Sequence, residues 1–438
     1  HTPNLDALAR GSTVFDRAYT PAPVCVPARQ SLLTGRYAHA HGASSNSAPM
    51  RPGERTIAHL AQEAGFATGA IGKMHFAGPD RHQGFRVRWD REEYGEVEPE
   101  AVGDAASGMA APGCYGARSE NRRLPVLQDT NRVDVHHGNY DAEPSPFPAE
   151  RHIEAYTTRE SVRFMERHRN ERWLLWCSYF KPHGPYTPPR QDWDRYAGQP
   201  LPVPEVDDAL LVGLPAHLAA ERVKAGYDRL GEEGVRRSLV GYYGNVTAVD
   251  REVGTLLAAV DALGLRDETL VVYTSDHGDM LGERGLFAKN CFYEGAWRVP
   301  LTIRHPAHNR PGSRLPTLAS LVDLFPTIAR SLALAVPDAV HGRSLLPALR
   351  GEQEQVSACV YGELNGRGAP DRYYGVFDGE WKLAVYGGDR EELFHLPSDP
   401  GERSNRLADA PDHAARLRDA LAEWQRTTSR GPADSPLV

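Results

Sequence analysis

No apolar run in this chain approaches the roughly 18 residues that a membrane span needs, so no membrane partner is expected. There is also no block of like charge. The 50 Lys+Arg and 58 Asp+Glu residues are interspersed, and the formal net charge is −8. Without a basic patch, nucleic acid is not an expected partner. Cysteine is scarce. Cys25, Cys114, Cys177, Cys291 and Cys359 are odd in number, scattered, and without C-x-x-C spacing. That argues against a disulfide framework or a cysteine zinc site, and points to a reducing compartment. A cytoplasmic location is the resulting expectation. The opening His1-Thr2-Pro3-Asn4-Leu5-Asp6 has no initiator methionine and no signal-peptide pattern. The expectation is a start in mid-domain, with any targeting segment upstream. No internal repeat is visible.

Glycine and proline are plentiful instead, at 41 and 34 of 438 residues. Long loops follow, and on an α/β scaffold long loops carry sites. The length fits one large domain plus a smaller one. Leu5–Leu8 and Thr56–Ala64 read as short helices, and a helix is expected to start near Gln30–Leu33. Ser12–Phe15 and Phe66–Ile71 read as strands. Tyr156–His168 is helical, and the continuous apolar run Trp173–Phe180 reads as a strand buried on both faces. Leu239, Tyr242, Val246, Val249, Val253, Leu256 and Val260 recur at alternating spacings of three and four, which predicts a long amphipathic helix. Gly264 is its expected C-terminal cap, and Leu270–Tyr273 the strand after it. Helix and buried strand alternate, so the fold expected is α/β: a large, mainly parallel sheet sandwiched by helices over 1–349. From about 350, short strands at 356–364, 372–377, 381–386 and 392–396 precede a helix at 411–427. They predict a smaller antiparallel α+β subdomain over 350–438. Residues 80–150 are polar and unperiodic, and read as an insertion or long loop over the site.

Open α/β sheets bind ligands at the C-terminal ends of their strands, and four polar clusters follow strand-like or apolar segments. In Cys25-Val26-Pro27-Ala28-Arg29, a cysteine near a helix start lies close to anion-stabilising N–H groups, with Arg29 one turn on. A buried structural cysteine beside a surface arginine is the alternative. In Gly72-Lys73-Met74-His75-Phe76, an extended segment would point Lys73 and His75 the same way, as a positive charge and a proton donor. In Lys181-Pro182-His183-Gly184-Pro185, two prolines fix the turn that presents His183. Finally, Ser275-Asp276-His277-Gly278-Asp279 places an Asp-His pair at a strand end, suited to a hard divalent cation, with Lys289 beyond. Here the alternative is an Asx-type turn.

Together these segments resemble the sulfatase family of the alkaline-phosphatase superfamily. C-x-P-x-R followed by Leu32-Leu33-Thr34-Gly35-Arg36 is similar to its first signature, and Gly72-Lys73-Met74-His75 to its second. The stretch through Asp80 is like the choline-sulfatase branch, and Arg298-Val299-Pro300-Leu301 and Leu393–Glu402 match further family elements. Val26 departs from the small residue usual there.

The resemblance implies that Cys25 is oxidised to formylglycine by a formylglycine-generating enzyme. Its hydrate would attack a small-molecule sulfate ester. Asp276, His277 and the residue derived from Cys25 would hold a divalent cation (Ca²⁺ or Mn²⁺, and Mg²⁺ as a further candidate). Arg29, Lys73 and Lys289 would balance sulfate charge, and His183 or His75 would protonate the leaving alcohol. Asp279 and Glu283 read as supporting or turn residues. The family's first strand, with its acidic metal pair, would lie upstream of His1. A homo-oligomer is a further possibility. Alternatives are a phosphonate monoester or phosphodiester hydrolase on the same scaffold, a non-catalytic anion-binding fragment, and, least favoured, a thiol hydrolase.

Overall fold

The structure, a computed structural model, describes residues 1–90, 140, 142–308, 310–365, 372–387 and 390–429. Cys114 and most of the expected insertion at 80–150 lie outside these residues.

Twelve strands are present among them: β1 (Thr13–Tyr19), β2 (Ala67–Gly72), β3 (Val87–Asp90), β4 (Trp173–Ser178), β5 (Val271–Thr274), β6 (Arg298–Val299), β7 (Leu301–Arg304), β8 (Ser313–Ser320), β9 (Val360–Asn365), β10 (Arg372–Phe377), β11 (Trp381–Tyr386) and β12 (Arg390–His395). They form three sheets. One, ordered β3-β2-β4, is parallel throughout. A second runs β5-β7-β1-β6, with β8 added to β1. Only the β1–β8 pair in it is parallel. The third, β12-β11-β10-β9, is antiparallel.

The α/β class and the antiparallel C-terminal sheet agree with the sequence. The single, mainly parallel large sheet needs correction in one respect: among the described strands, parallel pairing is confined to the β3-β2-β4 sheet and the β1–β8 pair. The physical reason is that an apolar strand looks the same in sequence whichever way its neighbour runs. β7 enters antiparallel between β5 and β1 after only Pro300 separates it from β6. The second correction concerns β4 and β5, whose side chains are mostly half-buried rather than fully enclosed.

The helices follow from local chemistry. Ile57–Glu63 starts at a capping box in which Thr56 and His59 satisfy each other's backbone N–H groups. The long helix Tyr227–Ala262 is broken at Gly231 (φ 60°, ψ −179°), a conformation that glycine adopts at little cost. Its buried positions include Leu239, Val249, Val253 and Val260, as the spacing predicts. Gly264 follows with φ 73°.

The sheet around β1 packs Phe15, Val299, Leu301 and Ile303 against Leu321, Leu324 and Leu349. Tyr19, Phe292 and Trp297 meet Val360 and Phe377, so one core joins this sheet to the C-terminal one. On the far face of that sheet, Leu417, Leu421 and Trp424 of the helix Pro411–Thr428 cover Val376, Leu383 and Leu393. Ala70 of β2 packs with Leu33 and Phe325, Leu174 and Trp176 of β4 pack against that cluster, and Val272 of β5 packs on the sheet around β1, so the ends of these strands, where functional side chains sit, are tied to the core.

Candidate active site

Cys25 occupies the first position of a helix, Cys25–Thr34, that follows the extended Val24. This helix begins five residues earlier than the sequence suggested. Pro27 is tolerated because first-turn N–H groups need no helical partner. Asn46 Oδ1 accepts the Val26 N–H at 3.0 Å, and the Gly35 cap has φ 68°. Cys25 is only 1% exposed. Burial alone would raise its thiol. Lys73 first, then Lys289 and His277, outweigh that and hold it well below the ordinary thiol range.

Arg29 lies one turn further along the same face. Its Nε donates to Asp276 Oδ2 at 2.8 Å, and its Nη1 donates to the Lys73 carbonyl (2.6 Å) and Ser178 Oγ (2.9 Å). One guanidinium therefore ties together the ends of β5, β2 and β4. Burial would raise the Asp276 carboxyl, but Arg29 first, then His277 and Lys73, bring it below the usual carboxylate range. Asp276 is an anion at every physiological pH.

Lys73 is 3% exposed. Its N–H bonds the Ser178 carbonyl at 2.8 Å. Its Nζ lies 3.6 Å from Cys25 Sγ and 5.3 Å from the centre of the Phe180 ring. Gly72 makes this approach possible. It has φ 101°, and a Cβ there would lie 2.0 Å from the Ser178 carbonyl oxygen. The expected alternation of Lys73 and His75 does not hold. β2 ends at Gly72, and His75 has φ 54°, so the segment turns instead of extending. Met74 packs into the core while His75 is half-buried.

Two imidazoles are locked in the same way. His277 Nδ1 lies 2.8 Å from the Gly278 carbonyl, and His183 Nδ1 lies 2.8 Å from the Gly184 carbonyl. Since a carbonyl only accepts, both rings carry a hydrogen on Nδ1, and a neutral ring then keeps its lone pair on Nε2. The Nε2 of His277 faces Cys25 Sγ at 3.2 Å, and that of His183 faces Lys289 Nζ at 3.2 Å. Burial, then Lys289, lowers His183 to a pKa of about 4, so it is neutral at pH 7.

The thiol of Cys25, a carboxylate oxygen of Asp276 and a ring nitrogen of His277 lie within 4.8 Å of one another, a separation at which one cation could be shared. The structure thus brings Cys25, Arg29, Lys73, His183, Asp276, His277 and Lys289 into one connected cluster. Lys181 instead serves its own loop, donating to the Pro185 carbonyl. Sequence reasoning missed Ser178 and Asn46. Ser178 at least ends an apolar strand, where a polar residue is a signal; Asn46, in a Ser-rich loop, carries none. A cavity of about 620 Å³ lined by residues including Phe15, Glu283, Arg284, Glu294, Arg298 and Glu402 shares no lining residue with this cluster.

A family model described as Sulfatase matches residues 1–333, and one described as N-sulphoglucosamine sulphohydrolase, C-terminal, matches residues 282–427. A choline-sulfatase of Rhizobium meliloti is 32% identical over 420 residues, covering 94% of this chain and 78% of that protein. An arylsulfatase of Clostridium perfringens is 27% identical, covering 95% and 87%. Among solved structures, a phosphonate monoester hydrolase from Silicibacter pomeroyi aligns at TM-score 0.77 and 25% identity, covering 98% of this chain and 90% of that one.

Proposed function

The chain belongs to the sulfatase family and is a sulfuric ester hydrolase, and we propose that it cleaves small sulfate monoesters with a formylglycine made from Cys25 and a bound divalent cation. The observation that carries this reading is the packing of Cys25 among Lys73, His277 and the Arg29–Asp276 pair.

The donor set fits a divalent cation. Asp276 offers an anionic carboxylate, one oxygen of which Arg29 already orients, and His277 presents an Nε2 lone pair in a fixed tautomer. Asp276, His277 and the oxygen at position 25 would hold the ion, and mainly oxygen ligands favour Ca²⁺ or Mn²⁺, with Mg²⁺ a further candidate. A formylglycine hydrate at position 25 would supply a hydroxyl nucleophile that displaces the alcohol from sulfur, its second hydroxyl would let the C–O bond to sulfate break and restore the aldehyde, and the cation would supply Lewis acidity there. The thiol atom in the structure stands where that hydroxyl would be.

The chain's own groups do the rest. Lys73 and Lys289 place two ammonium groups around position 25, where charge on a sulfuryl group would develop, and burial strengthens their effect. Arg29 keeps Asp276 ionised and correctly turned. His183 presents Nε2 as an acceptor toward Lys289, so a proton held between them is available to the leaving oxygen. His75 is the alternative donor, and the 3.2 Å contact with Lys289 favours His183.

A second reading, phosphonate monoester or phosphodiester hydrolysis, has one specific support, the structural likeness to a phosphonate monoester hydrolase. Such substrates carry one negative charge, as sulfate monoesters do, so the same cationic cluster suits both. Kinetics of the metal-loaded enzyme on an aryl sulfate and the matching aryl phosphonate decide. Higher kcat/KM on the sulfate is expected; the reverse order would establish the second reading.

A further inference from the structure

His183 and Lys289 come from different loops. His183 stands in the turn after β4, and Lys289 ends the loop after β5. Their 3.2 Å contact needs these loops to hold a fixed distance, and one buried link between the loops is placed to set it. Tyr186, three residues beyond His183 and 2% exposed, donates its hydroxyl to Asp279 Oδ2 at 2.7 Å. The other oxygen of Asp279 accepts the N–H of Ala288, the neighbour of Lys289, at 2.9 Å, and that of Leu281 at 3.2 Å. A single carboxylate is thus gripped by the histidine loop on one side and the lysine loop on the other.

Both partners are themselves seated. The Tyr186 ring packs edge-on to Tyr242 at 5.5 Å between centres. Gly241, one residue earlier on the long helix, lets that loop come close: a Cβ there would lie 2.4 Å from the Tyr186 carbonyl oxygen. The Asp279 loop is closed again by Met280 N–H to the Ala288 carbonyl at 2.7 Å. Ala288 and Asn290, flanking Lys289, both have left-handed φ values of 61° and 76°. Such conformations cost alanine and asparagine energy, so something must hold them, and the Asp279 bond to Ala288 N–H is placed to do so.

We propose that Asp279, through Tyr186, is a positioning residue that holds His183 against Lys289, and so governs proton delivery to the leaving oxygen. This rests on the role given above to His183. Asp279 and Tyr186 need not touch substrate; a displacement of about 1 Å is enough to cost up to roughly 100-fold in rate.

The test uses the full-length, converted, metal-loaded enzyme and a series of aryl sulfates whose phenols range from strongly to weakly acidic. Weakly acidic phenols need a proton as they leave and strongly acidic ones do not. Tyr186→Phe removes one hydroxyl and keeps the ring. It should lower kcat on the weakly acidic phenols by about 10-fold or more while sparing the acidic ones, with KM little changed. Asp279→Asn, which keeps shape and one acceptor, should show the same pattern, and His183→Ala a steeper form of it. Equal losses across the series in Tyr186→Phe, beside a graded loss in His183→Ala, would overturn the positioning role alone. No graded loss in His183→Ala would overturn both the role of His183 and the proposal. Amide-proton spectra of each variant report whether the loops still fold, and a variant with native spectra and unchanged kcat on every ester also overturns the proposal.

Discussion

Arg29 and Asp276 are joined at 2.8 Å, Nε to Oδ2, with side chains 7% and 15% exposed. The arginine comes from the helix Cys25–Thr34 and the aspartate from the end of β5, 247 residues later. Because the same guanidinium also bonds the Lys73 carbonyl and Ser178 Oγ, its planar set of donors matters as much as its charge.

Arg29→Lys is therefore a severe change. A lysine has one nitrogen for three acceptors that lie in different directions. Activity on an aryl sulfate should fall by about 100-fold or more, since Asp276 loses its orientation. Arg29→Ala leaves a shielded carboxylate unpaired and should cost roughly 3–5 kcal/mol of stability, read by denaturant unfolding. Wild-type stability in Arg29→Ala would show that water reaches Asp276.

Gly72→Ala tests the β2–β4 junction. The added Cβ meets the Ser178 carbonyl at 2.0 Å, at a φ of 101° that alanine avoids. The expected loss is about 2–4 kcal/mol, and the Lys73 loop should shift enough to impair turnover. An unchanged thermal midpoint would contradict the described approach of the two strands.

Much of this organisation was legible in the sequence. Strand-end polar clusters located Cys25, Lys73, His183 and Asp276, because apolar strands and chain-breaking Gly and Pro mark where a sheet stops. The bounds of β10 and β11 agree with the segments that the turn residues between them mark off. Strand direction was not legible, since β7 and a parallel neighbour would carry the same Leu-Thr-Ile pattern. His75 was misread as extended because a left-handed φ at a non-glycine residue leaves no local signature. The bonds of Asp279 were also hidden: its partners Tyr186 and Ala288 are 93 and 9 residues away.

Acid sensitivity gives a prediction with a defined sign. Burial first, then nearby Arg36, lowers His41 to a pKa of about 3, and the same burial-led effect lowers His341 to about 3. Unfolded histidines titrate near 6.5. Between pH 6.5 and 3 the unfolded chain thus binds protons that the folded one refuses. Stability is fully present above about pH 6.5 and falls with pH, by roughly 1.4 kcal/mol per unit for each such histidine. His41→Asn keeps an acceptor for the Ala43 N–H and should flatten this slope by about one histidine's share, measured by urea unfolding at pH 7, 6 and 5. An unchanged slope would mean that His41 titrates normally.

Metal dependence separates Asp276 from the cationic groups. Asp276→Ala should abolish divalent-cation binding by calorimetry and most turnover, whereas Lys289→Ala should lower turnover yet leave cation binding intact or tighter, because it removes a positive charge. Full cation binding by Asp276→Ala would move the metal elsewhere.

The proposed sulfate ester hydrolysis depends on an aldehyde made from Cys25. Its most direct test is to express the chain with graded amounts of a formylglycine-generating enzyme. Mass spectrometry of the peptide containing Cys25 gives the fraction converted, and the same preparations, loaded with Ca²⁺ or Mn²⁺, are assayed on an aryl sulfate. Turnover proportional to the aldehyde fraction is expected, with none from Cys25→Ala; equal turnover from preparations that hold only the thiol would overturn the role of the aldehyde.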